Sequence, residues 1–96
     1  MTSKNNTNWY VLTTRSRHEK KSEQFLKNRG FEVFLPVQKV MRKWSDRKKM
    51  VEVPLFSGYL FIRYDESKRF DVLNTPGIVR FLRYNNMDAT ISDSQL

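Results

Sequence analysis

The sequence predicts an α+β domain in which helices pack on a largely antiparallel sheet of four strands. The apolar and aromatic runs follow the order strand, helix, strand, strand, strand, helix, strand. The three consecutive strands leave no room for a helix between them, so they pair as hairpins, and the two helices cover one face. The aromatic content of 14% over 96 residues is typical of a folded chain, because disordered chains are poor in aromatic residues.

The N-terminal part predicts a tail, a strand and a helix. Residues 1–8 are polar, and we expect them to form a disordered tail ahead of the folded domain. The aromatic and β-branched run at residues 9–14 predicts the first strand. Ser16 and Glu19 have the spacing of a capping box, so the first helix is expected to begin there and to end near residue 28.

The middle of the chain predicts a long hairpin with a basic tip. Apolar residues alternate along residues 31–42, which predicts one long strand. Pro36 has no backbone N–H, so this strand either lies at an edge of the sheet or bends there. The basic segment at residues 42–49 is followed by an extended stretch at residues 50–53, and it is therefore predicted to be the tip of the hairpin.

The most apolar stretch, residues 55–62, predicts a central strand. Its second half does not alternate, as expected where both faces of a sheet are covered. Asp65 is a candidate N-cap for a short helix at about residues 66–74. We expect Phe70 and Leu73 of that helix to point inward.

The C-terminal part predicts a strand between two turns. The Thr-Pro-Gly sequence at residues 75–77 predicts a turn, residues 78–84 a strand, and Asn85 with Asn86 a second turn. Residues 91–96 are expected to begin another helix, which the sequence ends before completing. We therefore expect the chain to be a piece of a longer protein.

Charge and composition limit the function. The chain has 18 Lys and Arg against 10 Asp and Glu, a net charge of +8 at pH 7, which favours a polyanionic partner such as nucleic acid or a membrane surface. No run approaches the ~18 apolar residues of a membrane span, and the N-terminus lacks the apolar core of a signal peptide. We expect a cytoplasmic protein without membrane contact. The absence of Cys and the single His exclude disulfides and Cys- or His-rich metal sites, so we expect no cofactor and no metal.

An enzymatic function has little support in the sequence. Acidic residues lie among basic ones, as Glu19 lies beside Lys20 and Asp46 beside Arg47, so no buried pair of carboxylates for acid–base chemistry is predicted. Three separated glycines do not build a phosphate-binding loop. We expect a binding protein and not an enzyme.

Four sequence blocks stand out. They are WYVL at residues 9–12, PLFSGYLF at 54–61, NTPGIVRF at 74–81 and ISD at 91–93. With the basic helix and hairpin between them, they resemble the N-terminal domain of the NusG family of transcription elongation factors, and the resemblance covers roughly residues 9–96. Together with EVFLP at residues 32–36, the PLF-x-x-YLF pattern is similar to the specialised antiterminators of the RfaH and UpxY type.

The resemblance implies a fold, an activity and a set of partners. The fold is that of the NGN domain, which is ferredoxin-like. The activity is that of a monomer that binds the clamp helices of RNA polymerase, contacts the exposed non-template DNA strand and suppresses pausing and termination. Family members carry a second, C-terminal KOW domain, to which nothing in this sequence corresponds. We therefore expect one NGN-type domain at residues 9–96 with its last helix truncated.

The aromatic residues around the PLFSGYLF block are the first candidate site. The resemblance implies a pocket for the polymerase clamp helices that involves five residues of this sequence: Trp9, Phe56, Tyr59, Phe61 and Phe81. Aromatic anchors in an exposed apolar pocket are a common way of binding a helical partner. The alternative is that these residues only form the core.

The basic start of the first helix is the second candidate site. A helix N-terminus with fixed cations is suited to contact phosphates and base edges. The resemblance implies that this surface contacts non-template DNA through Arg15, His18 and Lys21, with Asn74 from the other side, and Arg17 is a further candidate because of its charge. The alternative is an ordinary solvated helix face.

The basic hairpin is the third candidate site. Six of the eleven residues at 39–49 are Lys or Arg, which suits a nucleic-acid-binding arm with the tryptophan stacking on an unpaired base, and the resemblance implies that this arm lies against upstream DNA. Its nucleic-acid-binding candidates are Lys43, Trp44, Arg47, Lys48 and Lys49. The alternative is a solubilising loop.

Two functions of other classes remain open. One is a stand-alone RNA- or DNA-binding module whose basic residues supply all the affinity, and the other is a structural protein of the ribosome. An exposed apolar pocket at residues 55–61 distinguishes the polymerase-binding hypothesis from both, because a simple nucleic-acid module does not need one.

Overall fold

The structure, a computed structural model, describes residues 8–96. The strands are β1 (Asn8–Thr14), β2 (Glu32–Phe34), β3 (Val37–Trp44), β4 (Arg47–Pro54), β5 (Tyr59–Arg63), β6 (Ile78–Phe81), β7 (Arg83–Tyr84), β8 (Met87–Asp88) and β9 (Thr90–Ser92). The helices are α1 (Glu19–Asn28) and α2 (Arg69–Leu73), and two short 3-10 turns cover Glu66–Lys68 and Asp93–Gln95. The predicted tail lies outside the described residues except for Asn8, which belongs to β1.

The main sheet is antiparallel, as predicted, but it has five strands and not four. Its order is β2-β5-β1-β6, and β9 pairs with β1 beside the end of β6. β6 pairs with the second half of β1, where Phe81 lies opposite Leu12, and β9 pairs with the first half, where Ile91 lies opposite Trp9. The small β7–β8 hairpin is inserted between them. Its turn residues Asn85 and Asn86 have φ of 52° and 63°, the left-handed conformation that tight hairpin turns require.

The predicted long strand at residues 31–42 is two strands in different sheets. β2 ends at Phe34, and β3 begins at Val37 and pairs only with β4 as a separate two-stranded sheet. Pro36 lies at the break, where its carbonyl oxygen accepts a hydrogen bond of 2.8 Å from the backbone N–H of Leu55. The bend predicted at Pro36 therefore takes the chain out of the main sheet. Every residue from 41 to 50, in the hairpin of β3 and β4, is exposed to solvent.

The two faces of the main sheet carry different clusters. One face carries Leu12, Leu60 and Ile62, and α1 and α2 add Leu26 and Val72 to its core. Because successive residues of a strand point to opposite faces, Trp9, Val11 and Phe61 lie on the other face, which we call the open face. The apolar residues packed against this second cluster come from strands and their connections: Leu82, Ala89 and Ile91.

The start of α1 differs from the prediction. The helix begins at Glu19, His18 occupies the N-cap position without a side-chain cap, and Arg17 adopts a left-handed conformation with φ of 64°. The capping box of Ser16 and Glu19 is therefore wrong. Glu19 is only 5% exposed, and its carboxylate accepts a hydrogen bond of 2.6 Å from the backbone N–H of Gly58. The Glu19 carboxylate therefore accepts a hydrogen bond from a residue far along the chain and not from the N-terminus of its own helix.

The second helix confirms one prediction and corrects another. Asp65 caps the 3-10 turn by accepting a hydrogen bond from the backbone N–H of Ser67. Phe70, however, is 74% exposed, whereas Val72 is fully buried. Residues two apart on a helix lie about 200° apart around its axis, so the inward direction of Val72 turns Phe70 to solvent.

The C-terminal residues also differ from the prediction. The predicted helix at residues 91–96 is absent among them, because Ile91 and Ser92 belong to β9. Ser92 and Gln95 form a capping box around the single 3-10 turn Asp93–Gln95. This turn brings Asp93 beside the indole of Trp9.

Candidate functional site: an apolar sheet face and a basic hairpin

Aromatic rings on the open face form a buried floor with a half-exposed rim. Trp9 and Phe61 are 7% and 6% exposed. The ring centroid of Phe34 lies 6.4 Å from both, and that of Phe56 lies 6.5 Å from Phe61. Phe34, Phe56 and Tyr59 are 40%, 50% and 37% exposed, so a partner has rings to contact and an ordered layer beneath them.

The structure brings four of the five predicted pocket residues together and separates the fifth. Trp9, Phe56, Tyr59 and Phe61 all belong to the open face. Phe81 lies on the opposite face and is only 2% exposed, stacked 5.3 Å from Tyr64 and covered by the Arg69 guanidinium at 4.2 Å. It is therefore not available to a partner on the open face.

Phe34 belongs to the open face although the sequence did not point to it. The alternation put Phe31, Val33, Leu35 and Val37 on one side of the predicted strand, and of these Val33 and Leu35 are buried. Phe34 then falls on the other side of β2, directly opposite Phe61 of β5. The alternation therefore predicted the side on which Phe34 lies. It did not predict a role for Phe34, because the sequence does not show that this face of the sheet carries other aromatic residues.

A hydrogen-bond network fixes the end of the open face near Trp9. The indole N–H of Trp9 donates to Asp93 at 2.7 Å, and the Arg63 guanidinium lies 4.7 Å from the centre of the indole ring. Arg63 also donates to Asp93 and, through Nε and Nη2, to Glu32. The hydrogen bonds from Trp9 and Arg63 hold the pKa of Asp93 below its usual range. A polar border therefore limits the apolar surface on this side.

The loop that carries Phe56 is tied to the start of α1. Gly58 has φ of 85°, a conformation that favours glycine, and its N–H donates to the Glu19 carboxylate. The Gly58 carbonyl accepts a hydrogen bond of 2.8 Å from the backbone N–H of Thr14. Both backbone groups of this glycine are thus used to hold the loop, which sets the direction of Phe56 and Tyr59.

The basic residues before and within α1 divide into structural and exposed ones. His18 is half-buried, its Nδ1 lies 3.0 Å from the carbonyl oxygen of Ser16, and its β-carbon packs near Gly77. The backbone N–H of Arg15 donates to the Gly77 carbonyl at 2.8 Å, but the residue itself is exposed, as are Arg17 and Lys21. The three exposed cations are therefore available to a phosphate, whereas His18 helps to shape the turn.

Asn74 belongs to a different part of the surface. It is the C-cap residue that follows α2, is exposed, and lines a cleft together with Arg29 and Lys68. Arg17 instead lines a cleft of about 650 Å³ between the start of α1 and the base of the hairpin, together with Lys20 and Arg42. Asn74 and Arg17 therefore lie in separate clefts.

The hairpin presents two chemically different faces. Its two strands pair without a bulge from Val37 opposite Pro54 to Trp44 opposite Arg47, and Ser45 at the turn has φ of 54°. The tryptophan face consists of Gln38, Val40, Arg42, Trp44, Arg47, Lys49, Val51 and Val53. The methionine face consists of Val37, Lys39, Met41, Lys43, Lys48, Met50, Glu52 and Pro54. The five predicted hairpin residues are all exposed, but they are split between these faces.

Comparison with known proteins identifies the family. Residues 7–96 match the family described as "Transcription termination factor nusG". The chain belongs to the NusG family. A curated relative, the "Transcription termination/antitermination protein NusG" of Chlamydia pneumoniae, is 35% identical over 86 residues, a match that covers 77% of this chain and 47% of the relative. The chain thus spans about half the length of the curated relative it matches.

The names of the family and of the relative both concern transcription termination. The family description is that of a termination factor, and the relative is named as a termination and antitermination protein. The mixed α/β structure with its antiparallel sheet and two helices is compatible with the NGN fold of this family. No helix within residues 8–96 has the length and apolar character needed to cross a membrane.

Proposed function

We propose that this chain is the polymerase-binding domain of a specialised elongation and antitermination factor of the RfaH and UpxY type. The open face binds the clamp helices of RNA polymerase, and the basic surfaces contact the exposed non-template DNA strand. Binding to both suppresses pausing and termination without a catalytic step of the chain's own, as a monomer and in the cytoplasm. The observation that carries the proposal is the half-exposed aromatic rim of Phe34, Phe56 and Tyr59.

The open face has the features of a surface for a helical partner. Binding energy at protein interfaces concentrates in aromatic anchors that sit over a well-packed base. Here Trp9 and Phe61 form the base, and Phe34, Phe56 and Tyr59 are the exposed anchors. An amphipathic helix would place apolar side chains one turn apart against such rings.

The basic surfaces support the nucleic-acid part of the proposal. The net charge of +8 gives the domain a long-range attraction for DNA. Arg15, Arg17 and Lys21 are exposed at the start of α1, where the helix dipole also favours a phosphate. The hydrogen bond from the Gly58 backbone N–H to the Glu19 carboxylate holds the start of α1 against the loop of the open face. One bound factor therefore presents both surfaces at a fixed relative orientation.

A stand-alone nucleic-acid-binding module is the second candidate function. The exposed Trp44 among basic residues favours it, because stacking and phosphate contacts are sufficient for binding a single strand. It does not account for the aromatic rim, which would then be apolar surface without a partner.

Retention of RNA polymerase in high salt separates the two functions. We expect core RNA polymerase to stay on the immobilised chain when salt rises from about 0.1 M to about 1 M, because apolar contacts are not screened, whereas the Debye length falls to ~3 Å. Single-stranded DNA on the same support is the control and is expected to be released. Release of polymerase together with the DNA would favour the stand-alone module.

A further inference from the structure

The tryptophan face of the hairpin is continuous with the cleft at the start of α1. Arg42 and Val53 of the tryptophan face line this cleft together with Arg17 and Lys20, and Glu52 and Pro54 of the methionine face line it at the base of the hairpin. Lys20 Nζ donates a hydrogen bond of 2.8 Å to the backbone carbonyl of Glu52. The base of the hairpin is thereby held against α1, and two basic regions that are separate in the sequence share one surface.

Cations and carboxylates are unequally distributed between the two sides of the hairpin. The continuous surface carries five cations: Arg17, Lys20, Arg42, Arg47 and Lys49. The carboxylate of Glu19, which also lines the cleft, is buried and accepts the Gly58 N–H. Glu52 also lines the cleft and accepts the Lys20 hydrogen bond through its backbone carbonyl, and its position in β4 puts its side chain on the methionine face, opposite Lys39. The continuous surface thus carries five cations, whereas the methionine face carries the three cations Lys39, Lys43 and Lys48 together with Glu52.

The aromatic residue of the hairpin lies on the same side. Trp44 is 60% exposed and lies directly opposite Arg47, with the Arg42 and Lys49 pair two residues nearer the base. A solvent-exposed indole flanked by guanidinium and ammonium groups is suited to stack on an unpaired base while its neighbours bind the adjoining phosphates. A base within a duplex offers no free face for this contact.

We propose that the cleft and the tryptophan face form one track for single-stranded nucleic acid, which we call the basic track. The strand backbone follows Arg17 and Lys20 in the cleft and the Arg42 and Lys49 pair along the hairpin, and a base stacks on Trp44 near the tip. Lys43 and Lys48, on the methionine face, lie outside the basic track. This inference deepens the nucleic-acid part of the proposed function and rests on it, but it requires no polymerase.

Two adjacent cross-strand pairs provide a matched test. The Arg42→Gln/Lys49→Gln variant and the Lys43→Gln/Lys48→Gln variant each remove two cations at neighbouring positions, on opposite faces. The measurement is fluorescence anisotropy with labelled oligothymidylate of roughly 20 nucleotides at several salt concentrations. For the first variant we expect an affinity loss of about 10- to 30-fold at about 0.1 M salt, and a salt slope smaller by about 1.4, because each phosphate contact contributes about 0.7. For the second we expect at most about a threefold loss, from the reduced net charge.

The stacking contact has its own control on the other face. Trp44→Ala is expected to weaken binding about tenfold without changing the salt slope, whereas Met41→Ala, which alters an equally exposed residue of the methionine face, changes affinity by less than about twofold. Equal losses for the two charge variants, a larger loss for the Lys43 and Lys48 variant, or an unaltered affinity of Trp44→Ala would overturn the basic track. So would failure of the unmodified chain to bind the oligonucleotide, and polymerase retention in high salt would then still stand as a separate result.

Discussion

Phe56→Ala is expected to weaken binding to RNA polymerase by about 2 kcal/mol, which is about 30-fold in affinity. The ring is half-exposed at the rim of the open face and lies 6.5 Å from the buried ring of Phe61. Truncation would remove an anchor that a partner buries. The same change leaves most of the core untouched, so the melting temperature is expected to fall by only a few degrees. Tyr59→Ala is expected to have a similar effect on affinity.

Phe70→Ala is the matched control for this prediction. Phe70 is even more exposed than Phe56, at 74%, but it projects from α2, which packs on the opposite face of the sheet. We expect its affinity for polymerase to equal that of the unmodified chain in the same titration. If Phe56→Ala and Tyr59→Ala bind as well as the unmodified chain while remaining folded, the open face is not the polymerase-binding surface.

Gly77→Ala is expected to destabilise the domain by about 2–5 kcal/mol. Gly77 has φ of 87°, which costs a residue with a β-carbon about 1–2 kcal/mol. An added β-carbon would also collide with Ser22 Oγ and come within 3.0 Å of the His18 β-carbon. Ser22 is fully buried and donates to the Pro76 carbonyl, so it cannot easily move, and such overpacking costs about another 1–3 kcal/mol.

Gly30→Ala isolates the contribution of the backbone conformation. Its φ of 90° is almost the same as that of Gly77, but nothing lies within 4 Å of its added β-carbon. We expect a loss of only about 1–2 kcal/mol in the free energy of unfolding, measured with urea for both variants. Equal losses for Gly77→Ala and Gly30→Ala would show that the turn at residues 75–77 does not pack tightly against α1.

The parts of the fold that the sequence predicted depend on local patterns. The first strand, the hairpin and the Asp65 cap were predicted because an aromatic and β-branched run, a basic segment between two extended stretches and a short polar side chain before a helix are all local patterns. β9 was not predicted because three residues carry no pattern of their own, and their strand conformation comes from pairing with Asn8 to Tyr10, 80 to 84 residues away. Glu19 had the local spacing of a cap, but burial beside Gly58 gave its carboxylate a different partner.

The candidate site was also predicted only where its residues are contiguous in the sequence. Phe56 and Tyr59 were predicted from the resemblance of a contiguous block, and the structure places both on the open face. Phe81 was assigned to the same site, but the side on which it lies depends on the register of β6 against β1, where a shift occurs between Thr13 and Thr14. Sequence alternation within β6 alone does not specify that register. Phe34 lies on the open face because the register of β2 against β5 puts it opposite Phe61.

The two proposed surfaces are mechanically linked by a few hydrogen bonds. Glu19 joins the first turn of α1 to the loop of Phe56, and the Thr14 N–H donates to the Gly58 carbonyl of the same loop. Hydrogen bonds to a charged group are the stronger ones, about 1.5–3 kcal/mol each. We expect these contacts to keep the start of α1 and the open face in one orientation, which a factor that contacts polymerase and DNA together requires.

The lifetime of a transcriptional pause in a reconstituted elongation complex tests the central claim most directly. The 96-residue chain would be added in excess to complexes halted at a defined pause site, with Phe56→Ala as the comparison. We expect the unmodified chain to shorten the pause and Phe56→Ala to have little effect at the same concentration. An unchanged pause lifetime with the unmodified chain, shown in the same sample to be folded and bound to polymerase, would contradict the proposal that this domain suppresses pausing.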